Sequence, residues 1–413
     1  MDRRFAVVAV CALMLGSACD NAAAPAADAA VGETTGAETT GGTDAQPTAD
    51  VAIAQDTPRA GQDAVALADQ AVAADVAPIA DVPAAEVATP DAKQPTGPYP
   101  SELKMQLGTW VMQPKAETTR CMVKRLDNPD EVWVHEIQTV LAKGSHHLIV
   151  YRSDATEEVL VPVKCTPFTE TLSGGNIPLM ITQIPKETLT LPKGVAFKFA
   201  PKQMIRIEAH YLNYYSDPID TGADIKFVTL PPAEVKDEAD MLFYGTPDFS
   251  LKPGKPYSTP WNYIDVWKDT KVFAVTGHTH QYGTNVEIGL AQGGTNVDAP
   301  LIYPGKDKPF DWAEAPLQQF DPPLQFKGNE GFQYRCSWLN TSNKQVGFGE
   351  SANQEMCFFW AYYYPSKGYR MCINPGKWKN QAPDMITDPI CCPDSPICGL
   401  IKSYLGSGQF GGG

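Results

Sequence analysis

From Tyr99 onward no long stretch of this chain places its apolar residues at helical spacing, so a helical framework is excluded. Aromatic and β-branched residues instead alternate with polar ones in short runs, broken by Pro and Gly. Val132-Trp133-Val134-His135-Glu136-Ile137, His147-Leu148-Ile149-Val150-Tyr151, Phe197-Lys198-Phe199, Met204 to Tyr211 and Met356 to Tyr364 all read as strands. Many short strands with turn signals between them predict an all-β chain of sandwiches or jelly rolls. A charged, Pro-containing break between Leu230-Pro231-Pro232 and Asp240 divides the folded part into predicted domains at 99–232 and 233–377. A Cys-, Pro- and Gly-rich tail, 378–413, follows.

The first quarter cannot join such a core. Residues 20–97 contain no Phe, Tyr or Trp, and their thirteen acidic residues against Arg59 and Lys93 carry −11 of the chain's −15. Too little apolar surface is available there to offset ordering entropy, so 19–98 is predicted to be a disordered, self-repelling linker. The acidity therefore belongs to the linker, and nothing basic or clustered suggests nucleic acid. Ahead of it, Arg3-Arg4 precede the apolar run Phe5 to Leu15, which is too short to span a bilayer. The end of that segment, Gly16-Ser17-Ala18-Cys19, resembles a bacterial lipoprotein lipobox. This implies a signal peptide over 1–18, a lipid on Cys19 and an exported protein held at a membrane of the cell envelope, on its periplasmic or surface side. The other reading is an ordinary secretory signal with an incidental cysteine.

Export directs how the remaining cysteines are read. Cys121, Cys165, Cys336, Cys357, Cys372, Cys391, Cys392 and Cys398 are even in number, which in an oxidising compartment argues for disulfides. Spacing alone leaves the pairing open.

Five of the six histidines sit in three compact motifs. His278 and His280, in the apolar run Val272 to Tyr282, would project to one face of a strand as half of a transition-metal site. His146 and His147 are adjacent, and neighbours in a regular strand point apart. They could reach one metal only if the strand begins or bulges there. His210, in the Met204 to Tyr211 run, is a third candidate for their set. Met356 is the candidate to join His278 and His280, because a thioether is soft and selects Cu(I). Met356, Phe358, Trp360 and Tyr362 alternate onto one face, so a metal at Met356 would look onto an aromatic wall. His135 matches none of these motifs and is read as structural.

In order along the chain, His146-His147-Leu-Ile-Val-Tyr, Glu208-Ala-His210-Tyr, His278-Thr-His280 and Glu355-Met356-Cys357 with Tyr362-Tyr363-Tyr364-Pro365 resemble the copper type II, ascorbate-dependent monooxygenases. The resemblance covers about Tyr99 to Cys372. It implies two jelly-roll-like domains, each holding one copper. His146, His147 and His210 would hold the electron-transfer copper, and His278, His280 and Met356 the catalytic copper that meets O₂. Pairings Cys121–Cys165 and Cys336–Cys357 also fit it. The implied activity is hydroxylation of a C–H bond of a small organic substrate with O₂ and ascorbate or a similar reductant. A copper-binding or copper-storing envelope lipoprotein without chemistry is the alternative, and a zinc hydrolase is disfavoured by the lack of a His-Glu-x-x-His arrangement. Where peptidylglycine-type members place an Arg and a Tyr on the substrate carboxylate, this chain has Thr276 and Trp360. With Phe358 these make an apolar substrate pocket suited to a neutral molecule.

One expectation follows from composition alone. A chain starting near Pro98 should keep the melting temperature and metal content of the full chain, which calorimetry and metal analysis can check. A clear loss of stability would show that the removed segment packs on the folded part.

Overall fold

The computed structural model describes residues 98–399 apart from 173, 350, 377–388 and 396. The predicted signal peptide with Cys19, the linker up to residue 97 and most of the tail 378–413 lie outside the described residues. Regular structure within them is almost entirely β.

The strands pair in two groups, and each group forms a sandwich. In the first, Glu102–Leu107, Ala223–Leu230, Val132–Leu141, Val195–Phe199 and Asp237–Glu238 lie side by side, with Lys186–Thr190 against Val132–Leu141. The facing sheet has the order Val159–Lys164, Glu117–Arg125, Met204–Leu212, Ser145–Ser153, Asn176–Thr182. In the second group, one sheet runs Gln318–Gln325, Lys271–His278, Phe358–Tyr364, Asp240–Gly245, Arg370–Ile373, Ile390–Cys392. Its partner runs Pro256–Ser258, Glu330–Leu339, Gly283–Gln292, Leu301–Tyr303, with Asn262–Asp265 also paired to Glu330–Leu339.

The strand Phe358–Tyr364 explains how the two groups come together. All seven of its residues are buried, although a strand with one wet face would alternate. Phe359, Ala361 and Tyr363 point into the second sandwich, among Val286, Ile288, Phe332 and Trp338. Phe358, Trp360 and Tyr362 point the other way, into a cluster shared with Leu148, Val150, Leu179 and Ile181 of the first sandwich. Phe243 lies flat against Trp360, with ring centroids 5.8 Å apart, and stacks on Phe358 at 5.1 Å. The seam between the sandwiches is thus an apolar core of its own.

Four disulfides brace this arrangement. Cys121–Cys165 and Cys336–Cys357 are formed, and the remaining four cysteines pair as Cys372–Cys391 and Cys392–Cys398. Cys357 immediately follows Met356, so the second bridge fixes the entry to Phe358–Tyr364.

Because the seam is a core, truncating it should destabilise the whole described fold. Phe243→Ala is expected to cost about 3–5 kcal/mol in urea unfolding, with the transition staying single. Two separated transitions would show that the sandwiches melt independently.

Candidate metal centre

The double histidine works because the ladder slips beneath it. Between Ser145–Ser153 and Met204–Leu212, His210 pairs with His147 but Tyr211 pairs with Ser145, so His146 is an extra residue with no partner. A regular strand would send the two rings to opposite faces. Here the His146 and His147 rings lie 5.3 Å apart, and His210 is 5.5 Å from His146 and 5.1 Å from His147. Gly144, at φ +83°, turns the chain into the strand so closely that a Cβ would come within 2.9 Å of the Leu212 carbonyl oxygen. A side chain there would be strained twice over.

His278 and His280 meet for a reason that strand alternation does not supply. The strand Lys271–His278 ends at His278, and His280 lies beyond it. A buried carboxylate sets the turn instead. Glu355 Oε2 accepts from His280 N–H (2.8 Å), the Trp338 indole N–H (2.9 Å) and Met356 N–H (3.3 Å), while Oε1 accepts from Tyr282 N–H (2.7 Å). Burial pushes this carboxyl up to about 7, against the hydrogen bonds that lower it. One side chain therefore ties the His278-Thr279-His280 turn to the backbone of Met356, and the two rings sit 5.2 Å apart, nearly perpendicular.

Hydrogen bonds also fix which ring nitrogens are free. Gln183, from the first sandwich, donates through Nε2 to the Gly277 carbonyl (3.0 Å), which leaves its Oε1 to accept from His278 Nδ1–H at 2.6 Å. The Gln354 carbonyl accepts from His280 Nδ1–H (3.0 Å), and Glu117 Oε1 accepts from His210 Nε2–H (2.9 Å). The lone pairs left over are on His278 Nε2, His280 Nε2 and His210 Nδ1. These atoms, with His146 Nε2 and both nitrogens of His147, are buried without a hydrogen-bond partner among the described residues. Burial, reinforced by the neighbouring imidazoles, holds His146, His147 and His278 well below the usual histidine range and His280 at about 4. All four rings are therefore neutral near pH 7, the form that ligates metal.

The two histidine sets are not apart. His146 stacks on His278 at 5.6 Å and stands edge-on to His280 at 5.6 Å, and His147 is 5.8 Å from His278. Two triads result, His146/His147/His210 and His146/His278/His280, each with donor atoms within 4.8 Å of one another. Each unpartnered buried polar atom costs roughly 1–3 kcal/mol, so five imidazoles gathered this way are a poor interior and a good metal site. Copper fits the imidazole donors, and Met356 is buried just ahead of Phe358–Tyr364, its N–H bonded to Glu355.

Thr276, Phe358 and Trp360 are buried, with Trp360 6.3 Å from His278. They form a packed wall in this arrangement and not an open pocket. His135 lies away from the cluster, lining a surface cavity with Lys193 and Lys236. Sequence reasoning missed Gln183, Glu117 and the clamp role of Glu355. It also missed Trp312, whose ring stands edge-on to His146 at 5.7 Å. Of these, only Glu355 carried a signal, through its place beside Met356.

Residues 265–382 match the family model of the copper type II ascorbate-dependent monooxygenase, C-terminal domain. That span contains His278, His280, Glu355 and Met356, and the match supports this family. By overall shape the chain is similar to the major capsid protein P2 of bacteriophage PM2, with a TM-score of 0.30 and 10% identity over 65% of this chain and 99% of that one. It is also similar to the VP2 subviral particle of infectious bursal disease virus, at 0.18 and 10% over 66% and 74%. A third likeness is PNGF-II, at 0.21 and 8% over 59% and 58%. At these scores the shape likenesses carry no argument.

Gln183 gives a direct test of the tautomer argument. Gln183→Leu should release His278 and weaken metal binding by the His278/His280 pair about 10- to 100-fold, as read by chelator competition. Unchanged affinity would mean that His278 is oriented by something else.

Proposed function

We propose that the protein is a dicopper monooxygenase, exported and lipid-anchored through Cys19, that hydroxylates a C–H bond of a small neutral organic substrate. The observation that carries this reading is the convergence of five buried imidazoles with unpaired nitrogens, two of them, His278 and His280, in the span that matches the monooxygenase C-terminal domain. His146, His147 and His210 would hold one copper, and His278, His280 and Met356 the other. Bound copper would supply one-electron redox chemistry and O₂ activation. Hydroxylation by O₂ also consumes two electrons and two protons and releases water, and ascorbate or a similar reductant would be the source of the electrons.

The chain's own groups divide the remaining work. Gln183 and the Gln354 carbonyl hold His278 and His280 with Nε2 forward, and Glu117 holds His210 with Nδ1 forward. Burial keeps His146, His147, His278 and His280 neutral and keeps water off all five rings. Substrate would meet the wall of Thr276, Phe358 and Trp360 only once the seam opens, and that wall offers one hydroxyl, one indole N–H and otherwise carbon. A carboxylate brought there would find no charged partner. The four disulfides suit an oxidising compartment and support export.

Met356→Ala separates the two copper sets. It should leave copper at the three histidines of the first sandwich while abolishing ascorbate-dependent O₂ uptake, which should be faster in the unmodified protein with neutral aromatic or aliphatic compounds than with glycine-extended peptides. Unaltered uptake in Met356→Ala would remove the assignment. Copper bound with no uptake under any substrate would leave a copper-holding protein.

A further inference from the structure

The free nitrogen of His146 is claimed twice. Only Nε2 of this ring is buried without a partner, and both triads of converging donors include His146. One lone pair cannot serve two ions. In the arrangement seen, the histidines therefore divide as three and two in one of two ways, and His146 decides which.

We propose that the seam holds a site of its own, in which His146, His278 and His280 bind a single d-block cation and strap the two sandwiches together. All three rings present Nε2. His278 and His280 are committed to it by their Nδ1–H bonds to Gln183 and to the Gln354 carbonyl. His146 lies equally close to both, 5.6 Å from each ring centre, because the bulge swings it out of the ladder. With a metal–nitrogen bond of about 2.1 Å, donors on one ion stand roughly 3.4 Å apart, so the triad, already within 4.8 Å, closes on an ion by small ring movements. Among the described residues, the one side-chain carboxylate hydrogen-bonded to a ring of the cluster, Glu117, bonds His210, not this triad. Three neutral imidazoles suit Cu(I) or Zn(II). Met356 has no part in the strap, since His146 takes the place of its thioether.

This site has a mechanical consequence. His146 rises from Ser145–Ser153 of the first sandwich, while His278 ends a strand of the second, so an ion here fixes the seam in the closed form in which Phe168 of the first sandwich packs on Phe243 of the second. Filling both sets of the proposed enzyme requires His146 to leave His278 and His280. One ion holds the seam shut, and the second opens it.

The inference shares with the proposed function only the premise that these imidazoles bind metal, and its test needs no turnover. In the full chain carrying His147→Ala and His210→Ala, which removes the first-sandwich set, Zn(II) should bind at one per chain. Adding His146→Ala should weaken that binding at least tenfold, whereas adding Met356→Ala should change it less than threefold. X-ray absorption of the Cu(I) form of the double variant should show three nitrogens and no sulfur. An affinity indifferent to His146, or a sulfur ligand in the double variant, would overturn the strap while leaving the monooxygenase reading intact. If the double variant does not fold, hydrogen exchange on the unmodified chain with one equivalent of Zn(II) answers the same question. Slowing in both Ser145–Ser153 and Lys271–His278 is expected, and slowing confined to Ser145–Ser153 and Met204–Leu212 would refute the site.

Discussion

Five buried imidazoles with ring nitrogens left unpaired are the constraint on which the rest of this structure turns. Hydrogen bonds within the protein do not satisfy them, because the nitrogens that could be satisfied already are, by Gln183, the Gln354 carbonyl and Glu117. One nitrogen of each ring converges with those of its neighbours in the two triads. An interior built like this is unstable by several kcal/mol unless a Lewis acid enters it. The apolar seam around it, with Phe168 4.7 Å from His147 and Trp312 against His146, keeps solvent from doing that job instead.

The polar scaffold crosses the seam at two points. Gln183 reaches from the first sandwich to orient a histidine of the second. Glu117, also from the first, bonds His210 of its own sandwich and the Ala352 N–H of the loop that leads to Glu355. Burial pushes the Glu117 carboxyl up, but those two hydrogen bonds outweigh it and leave it lower than normal. The histidine sets are thus oriented jointly, and a displacement of one sandwich relative to the other disturbs the rings before it disturbs either fold.

How much of this could be read from the sequence follows from range. The all-β class was legible in alternation and turn residues, and the histidines that the fold gathers were legible because each motif is short: two adjacent histidines and His-x-His. The reason given for the pairing of His278 and His280 was incomplete, since His280 lies past the strand and is placed by Glu355. Gln183 and Glu117 left no trace, because their partners are 95 and 93 residues away and a lone Gln or Glu on a strand end is ordinary. The nearness of the two sets was equally hidden, because strand patterns describe faces within a sheet and say nothing of how one sandwich leans on another.

The strand Phe358–Tyr364 is apolar on both faces, and alternation therefore does not pin its alignment. In a strand with one wet face, a slip by one residue would throw its apolar side chains into water and be rejected. Here a slip would only exchange one set of aromatic rings for another. What forbids it lies at the strand's entrance, where Cys357 is bonded to Cys336 and Glu355 is tied to three other residues. The bridge acts as a register key. A chain folding where that bond cannot form is exposed to a misaligned but still well-buried strand, with Met356 carried out of place.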